Sequence, residues 1–136
     1  MNKSKIREEI FKLIYSLEVQ KCENEDQINI YLEDTELSEK DKESIKNNVL
    51  KIISLEENLK EEIAKNLKSG WNIERVSKIN MTILKIAIYE IIYNKLPYKI
   101  SINEAVELAK KYGEETSASF INGILASVVK DNNITE

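Results

Sequence analysis

Histidine is absent from this 136-residue chain. That removes the side chain most often used as a general base at neutral pH and as a metal ligand. Cysteine occurs once, as Cys22, so no internal disulfide forms, a usage that suits a reducing cytoplasm. Without a histidine to activate it, Cys22 is a poor nucleophile. The three glycines form no phosphate-cradling loop, and a single proline leaves few breaks in the chain. No apolar run approaches the roughly 20 residues of a membrane span. The longest candidate, Ile83–Tyr93, is too short and carries Lys85 and Glu90. The basic start, Met1–Arg7, meets Glu8, Glu9 and Lys12 where a secretory signal needs an apolar stretch. The expectations are no catalytic residue, no metal ligand, no cofactor, no membrane association, and a cytoplasmic location.

What is present fits a single globular domain. Apolar residues make up 42% and charged residues 32%, enough of the first to bury a core at this length. The formal charge is −4, but it is uneven. Glu18–Glu43 holds ten acids against three bases, so the remainder sums to +3. Cations gather at Lys3, Lys5, Arg7 and Lys12, and again at Lys95, Lys99, Lys110 and Lys111. An acidic total therefore leaves room for a nucleic-acid partner, because the local field governs contact. The same charges also read as ordinary solvated helix faces.

The apolar stock is rich in isoleucine, which mildly disfavours helix, so helices are inferred from periodicity. Ile6, Ile10, Leu13, Ile14 and Leu17 form one stripe over about Lys5–Lys21, with Ser4 as N-cap. A short helix over Asp26–Leu32 follows. Ser38 with Asp41 opens a third, and Ile45, Val49, Ile52, Ile53, Leu59, Ile63 and Leu67 keep helical spacing to Gly70. The spacing predicts one long helix, straight or bent, over Glu39–Ser69. Ser77 caps a helix over Lys78–Asn94 that is apolar around most of its circumference, the mark of a central helix. Ser101 and Glu104 make a capping box for the next helix, which stops at Gly113. A last helix starts near Ser117 and presents Phe120, Ile121, Ile124, Leu125 and Val128. Asn122-Gly123 lies inside that stripe, so Gly123 reads as a close helix–helix approach rather than a hairpin turn.

Adjacent acids such as Glu56-Glu57 and Glu61-Glu62 point apart on a helix and read as solvated faces. Glu90, on the apolar helix, needs a partner if buried. Arg75 is the first choice, with Lys85 or a helix N-terminus as alternatives. The basic opening segment suits phosphates, and Phe120 suits stacking on an unpaired base, although both also have plain structural readings.

The C-terminal half carries a sharper signal. The blocks Trp71-x-x-Glu74-Arg75-Val76, Ile83-Leu84-Lys85-Ile86-Ala87-Ile88-Tyr89-Glu90 and Leu96-Pro97-Tyr98-Lys99-Ile100 come first. Ile102-Asn103-Glu104-Ala105-Val106-Glu107-Leu108-Ala109-Lys110-Lys111-Tyr112-Gly113 and Phe120-Ile121-Asn122-Gly123-Ile124-Leu125 follow. In order and spacing they resemble the NusB family of bacterial transcription antitermination factors. The start, Ile6–Leu17 with Tyr15, is also similar, whereas Glu18–Ser44 matches in length and character alone. The resemblance implies an all-α fold of about seven helices in two helical-bundle subdomains, about 1–70 and 71–130. It implies binding of single-stranded boxA RNA together with NusE, a small-subunit ribosomal protein. It further implies action with NusA and NusG on the RNA polymerase elongation complex, above all on ribosomal RNA operons.

Carried over by position, the RNA-binding residues are Lys3, Lys5 and Arg7, then Thr116, Ser117 and Phe120. Arg7 alone is arginine in the family's arginine-rich segment, here Ser4–Arg7, and lysine loses the bidentate fork. Thr116 and Ser117 also read as helix caps. The NusE-facing residues are Tyr15, Glu74 and Asn80, with Asn80 replacing an acid found in some members. Tyr15 reads equally as core. Two other readings stay open. One is the NusB-like domain of a ribosomal-RNA methyltransferase, against which the polar tail Lys130–Glu136 favours a stand-alone factor. The other is a self-associating helical module, since some members form homodimers.

Overall fold

The structure, a computed structural model, describes residues 2–22 and 24–135. Among them are seven α-helices and no strand. The chain divides into two compact units, Met1–Leu55 and Glu56–Glu136.

The first unit holds α1 (Lys3–Gln20), α2 (Glu25–Glu33) and α3 (Glu39–Ser54). The stripe read from the sequence is buried: Ile10, Leu13, Ile14 and Leu17 of α1, Ile28 and Leu32 of α2, and Ile45, Val49 and Ile52 of α3. The cap of α1 lies two residues before the expected Ser4. The Asn2 side chain accepts the Lys5 N–H at 2.9 Å, and asparagine is among the best residues at this position. Lys21, at φ 55°, ends α1 in the left-handed conformation. The Cys22 N–H bonds to the Leu17 carbonyl and the Lys21 N–H to the Glu18 carbonyl, a closure usually given to glycine. Ser38 caps α3 as expected, accepting the Asp41 N–H at 3.1 Å.

A single helix over Glu39–Ser69 does not form. Helix α3 ends at Ser54, Leu55 takes φ −101° and ψ 11°, and a new helix, α4 (Glu56–Lys65), begins. No glycine or proline marks this break. The break coincides with the division of the chain, α3 lying in the first unit and α4 in the second. The units therefore meet at Leu55–Glu56, whereas the sequence reading placed the boundary near residue 70. Gly70, at φ 88°, shapes the turn leading to Trp71.

The second unit continues with a 3₁₀ turn (Ile73–Arg75), α5 (Lys78–Ile88), a π-helical turn (Tyr89–Tyr93), α6 (Tyr98–Tyr112) and α7 (Ser117–Asp131). Helix α5 is its axis, packed against α4, α6 and α7. Every residue from Met81 to Ile91 is buried, as the all-round apolar pattern requires. Each large aliphatic side chain so buried contributes roughly 1.5–3 kcal/mol.

Two charges share that axis. Lys85 Nζ lies 2.7 Å from Glu56 Oε1 at the start of α4. Glu90 accepts a 2.7 Å hydrogen bond from the Ser101 hydroxyl. This corrects two expectations. Arg75 is exposed and is not shown bonding to Glu90, and Ser101 is no cap, because α6 already starts at Tyr98 behind Pro97. Ser101 sits one turn inside α6, where its buried hydroxyl reaches across to the π turn.

The glycines also differ from expectation. At Gly113 a Cβ would fall 2.5 Å from Ser117 Oγ, so the α6–α7 corner needs glycine. At Gly123 a Cβ would meet nothing within 4 Å. Gly123 is exposed on α7 and marks no close approach between helices. No helix of the described residues is long and apolar enough to cross a membrane.

Candidate nucleic-acid interface

The basic opening residues lie in the first two turns of α1, which carry no acid in the first turn to offset the helix dipole. Lys3 and Lys5 are exposed. Lys5 lies 3.6 Å from Glu8, a loose pair in which the Lys5 side chain stays 61% exposed. Arg7 differs: it falls on the apolar side of α1 and is 9% exposed. The i, i+4 step from Lys3 to Arg7 thus runs from solvent to interior. Further along α1, Tyr15 is half-buried and stacks on buried Phe11, with ring centroids 6.0 Å apart. It is both a packing residue and a partly open one, so neither reading made from sequence is complete by itself.

In the second unit, Thr116, Ser117 and Phe120 open α7. Thr116 is exposed and makes no side-chain cap. Ser117 is buried and accepts the Glu114 N–H at 2.9 Å, which fixes the corner after Gly113. Its hydroxyl is a structural clasp. Phe120 is half-buried and stacks on Trp71 at 5.6 Å, the rings 27° from parallel. Trp71 itself is 51% exposed. Between the end of α4 and one face of α7 the pair walls a groove of about 470 Å³, completed by Asn66, Lys68, Gly123 and Ser127. Asn66 is held there by the Ser127 hydroxyl, which donates to its Oδ1 at 2.6 Å.

Sequence reasoning took Phe120 as its stacking residue and passed over Trp71, Lys68 and Gly123. The signal for Trp71 was there: an aromatic residue directly after Ser69-Gly70 lies in a turn, where exposure is the rule.

The two remaining positions frame the start of α5. Glu74 is exposed on the 3₁₀ turn, and its backbone N–H donates to Asn72 Oδ1 at 2.9 Å. Asn80 sits in the first turn of α5, where its backbone N–H bonds to Ser77 Oγ at 3.1 Å. Its side-chain Oδ1 is buried and has no hydrogen-bond partner among the described residues. A buried carbonyl in that state costs about 1–3 kcal/mol until a donor reaches it.

The sequence pattern of the NusB family matches residues 4–130. The chain belongs to the NusB family. It is 45% identical over 131 residues to the transcription antitermination protein NusB of Ruminiclostridium cellulolyticum, covering 96% of this chain and 90% of that one. T. maritima NusB has the same fold, with a TM-score of 0.85, 29% identity, and coverage of 96% of this chain and 92% of the other. A NusB chain solved with NusE and double-stranded RNA superposes with a TM-score of 0.80 at 24% identity, over 96% and 99% of the two chains. The all-α, seven-helix expectation therefore holds for this NusB-family chain. Its two sets of basic and aromatic positions lie in different units, at the starts of α1 and α7.

Proposed function

We propose that this chain is a transcription antitermination factor that binds boxA-type single-stranded RNA jointly with NusE. In this reading it supports processive transcription of ribosomal RNA operons, with NusA and NusG on the elongating RNA polymerase, in the cytoplasm. The observation that carries the reading is the family pattern running across residues 4–130 on the family's own fold. The solved complex of NusB and NusE with double-stranded RNA supports the choice of partners.

The chemistry is consistent with recognition. Lys3 and Lys5 stand at the positive end of α1, an arrangement that costs about 0.3–1 kcal/mol per cation and is relieved when phosphate approaches. The choice of an unpaired strand rests on Phe120, whose half-open ring offers a face to a base. NusE is assigned to Tyr15 in the first unit and to Glu74 and Asn80 in the second, where the unpartnered Asn80 carbonyl awaits a donor. If each partner improves the other's hold on this chain, the coupling is reciprocal and multiplies the RNA affinity.

The test is RNA binding by anisotropy, with and without NusE, comparing boxA with a scrambled sequence. NusE should tighten boxA binding at least severalfold and leave the scrambled RNA weak. The Lys3→Ala/Lys5→Ala variant should lose affinity for both. Arg7→Ala needs a parallel melting curve, because Arg7 is buried. Equal binding of boxA and scrambled RNA in the presence of NusE would end this reading.

A further inference from the structure

We infer that the groove between Trp71 and α7 is a seat for one unpaired nucleotide, with the base on the Trp71–Phe120 stack and its phosphate at Lys68. The inference rests on the RNA-binding reading above, shares Phe120 with it and extends it to Trp71, Lys68 and Gly123.

Three observations carry it. First, Trp71 keeps half its surface in solvent while its ring is already fixed by Phe120 at 5.6 Å. An exposed indole held rigid by a second ring is a prepared stacking platform, since little side-chain freedom is lost on binding. Second, Lys68 lines the same groove and forms no ion pair among the described residues. Three other lysines of the second unit are held by acids: Lys65 pairs with Glu62 and Asp131, Lys85 with Glu56 and Lys110 with Glu107. An unneutralised cation at the rim of an aromatic groove complements a base joined to a phosphate.

Third, Gly123 lies within the α7 face that lines the groove. A glycine inside a helix weakens it relative to alanine. Here no neighbour demands that glycine, because a Cβ would meet only open space. Gly113 shows the contrast, as its missing Cβ makes room for Ser117. The missing Cβ at Gly123 leaves that wall of the groove open, so a ligand can come close to the α7 backbone there. The polar groups at its edge, Asn66 and Ser127, are bonded to each other and positioned to meet a base edge.

Trp71 is the only tryptophan of the chain, so its emission reports on the groove directly. The protein, with NusE present, is titrated with boxA RNA while anisotropy of the labelled RNA and tryptophan emission are followed together. The Trp71→Phe variant, which keeps a stacking ring, supplies the blank for NusE. Emission should be quenched in step with anisotropy. Trp71→Ala should weaken binding roughly 5- to 100-fold, the range of one lost stacking contact. Gly123→Leu should fill the groove, keep or raise the melting midpoint, and weaken binding at least tenfold.

Anisotropy that rises with unchanged emission, or a Gly123→Leu protein that binds like the parent, overturns this inference and leaves the RNA-binding reading intact. No RNA binding at all overturns both. Emission that responds to NusE alone, and no further to RNA, assigns the groove to the protein partner and overturns the nucleotide.

Discussion

Glu90 and Ser101 show how much rests on single side chains in the second unit. A buried carboxylate must find donors, and Ser101 brings one from one turn inside the neighbouring helix. Ser101→Ala removes that donor without creating a large void. It should cost about 1–3 kcal/mol, read as a lower midpoint in urea with an unchanged slope. A cost within a few tenths of a kcal/mol would mean that the bond is dispensable. This pairing was not legible in the sequence, because Ser-x-x-Glu before an apolar run has the form of a helix start. Pro97, four residues earlier, was the better signal for the start of α6, since proline favours the first turn. Gly123 was misread for a related reason. A glycine in an apolar stripe signals proximity to something, and sequence does not say whether that something belongs to the same chain.

Among the helices, α4 and α5 are fastened at one end by the Glu56–Lys85 pair. Burial alone would raise the Glu56 carboxyl pKa. The hydrogen bond and charge of Lys85 outweigh it, with a further pull from Lys60, and hold the group below its ordinary value. A carboxyl whose pKa is lower folded than unfolded stabilises the protein fully above the unfolded value, near 4.3. That contribution fades as the pH drops through the folded value. The parent should therefore lose melting temperature between pH 5 and pH 3 faster than Glu56→Gln does. At pH 7 Glu56→Gln should itself be less stable by on the order of 1–3 kcal/mol, because it leaves buried Lys85 with a weaker partner. Parallel melting curves for the two proteins that fall by the same amount would contradict this.

The stripes of α1, α5 and α7 and the serine caps of α3 and α5 were all legible, since periodicity and capping are local properties. The stop at Leu55 and the π turn over Tyr89–Tyr93 were not. Leucine is a good helix former, and nothing in Tyr-Glu-Ile-Ile-Tyr distinguishes a wide turn from a regular one. Both features answer to packing.

Over the molecule as a whole, the uneven spread of charge bears on how the chain meets RNA alone. The −7 of Glu18–Glu43 lies in the same unit as Lys3 and Lys5. Without its partner the chain should thus hold RNA weakly, with few phosphates neutralised. Each contributes about −0.7 to the slope of log affinity against log salt on a single strand. A slope no steeper than about −3 is expected, and Lys3→Ala/Lys5→Ala should flatten it by about 1.4. A steep slope that survives this substitution would place the phosphate contacts elsewhere.

The division at Leu55 carries a consequence for biogenesis. Each compact unit is one unbroken stretch of chain, and the backbone passes from the first to the second a single time. All the helices of the first unit have therefore left the ribosome while the remainder is still being made, a matter of several seconds at roughly 5–20 residues per second. Its apolar stripes can find one another during that interval, before the competing stripes of α4–α7 have all emerged.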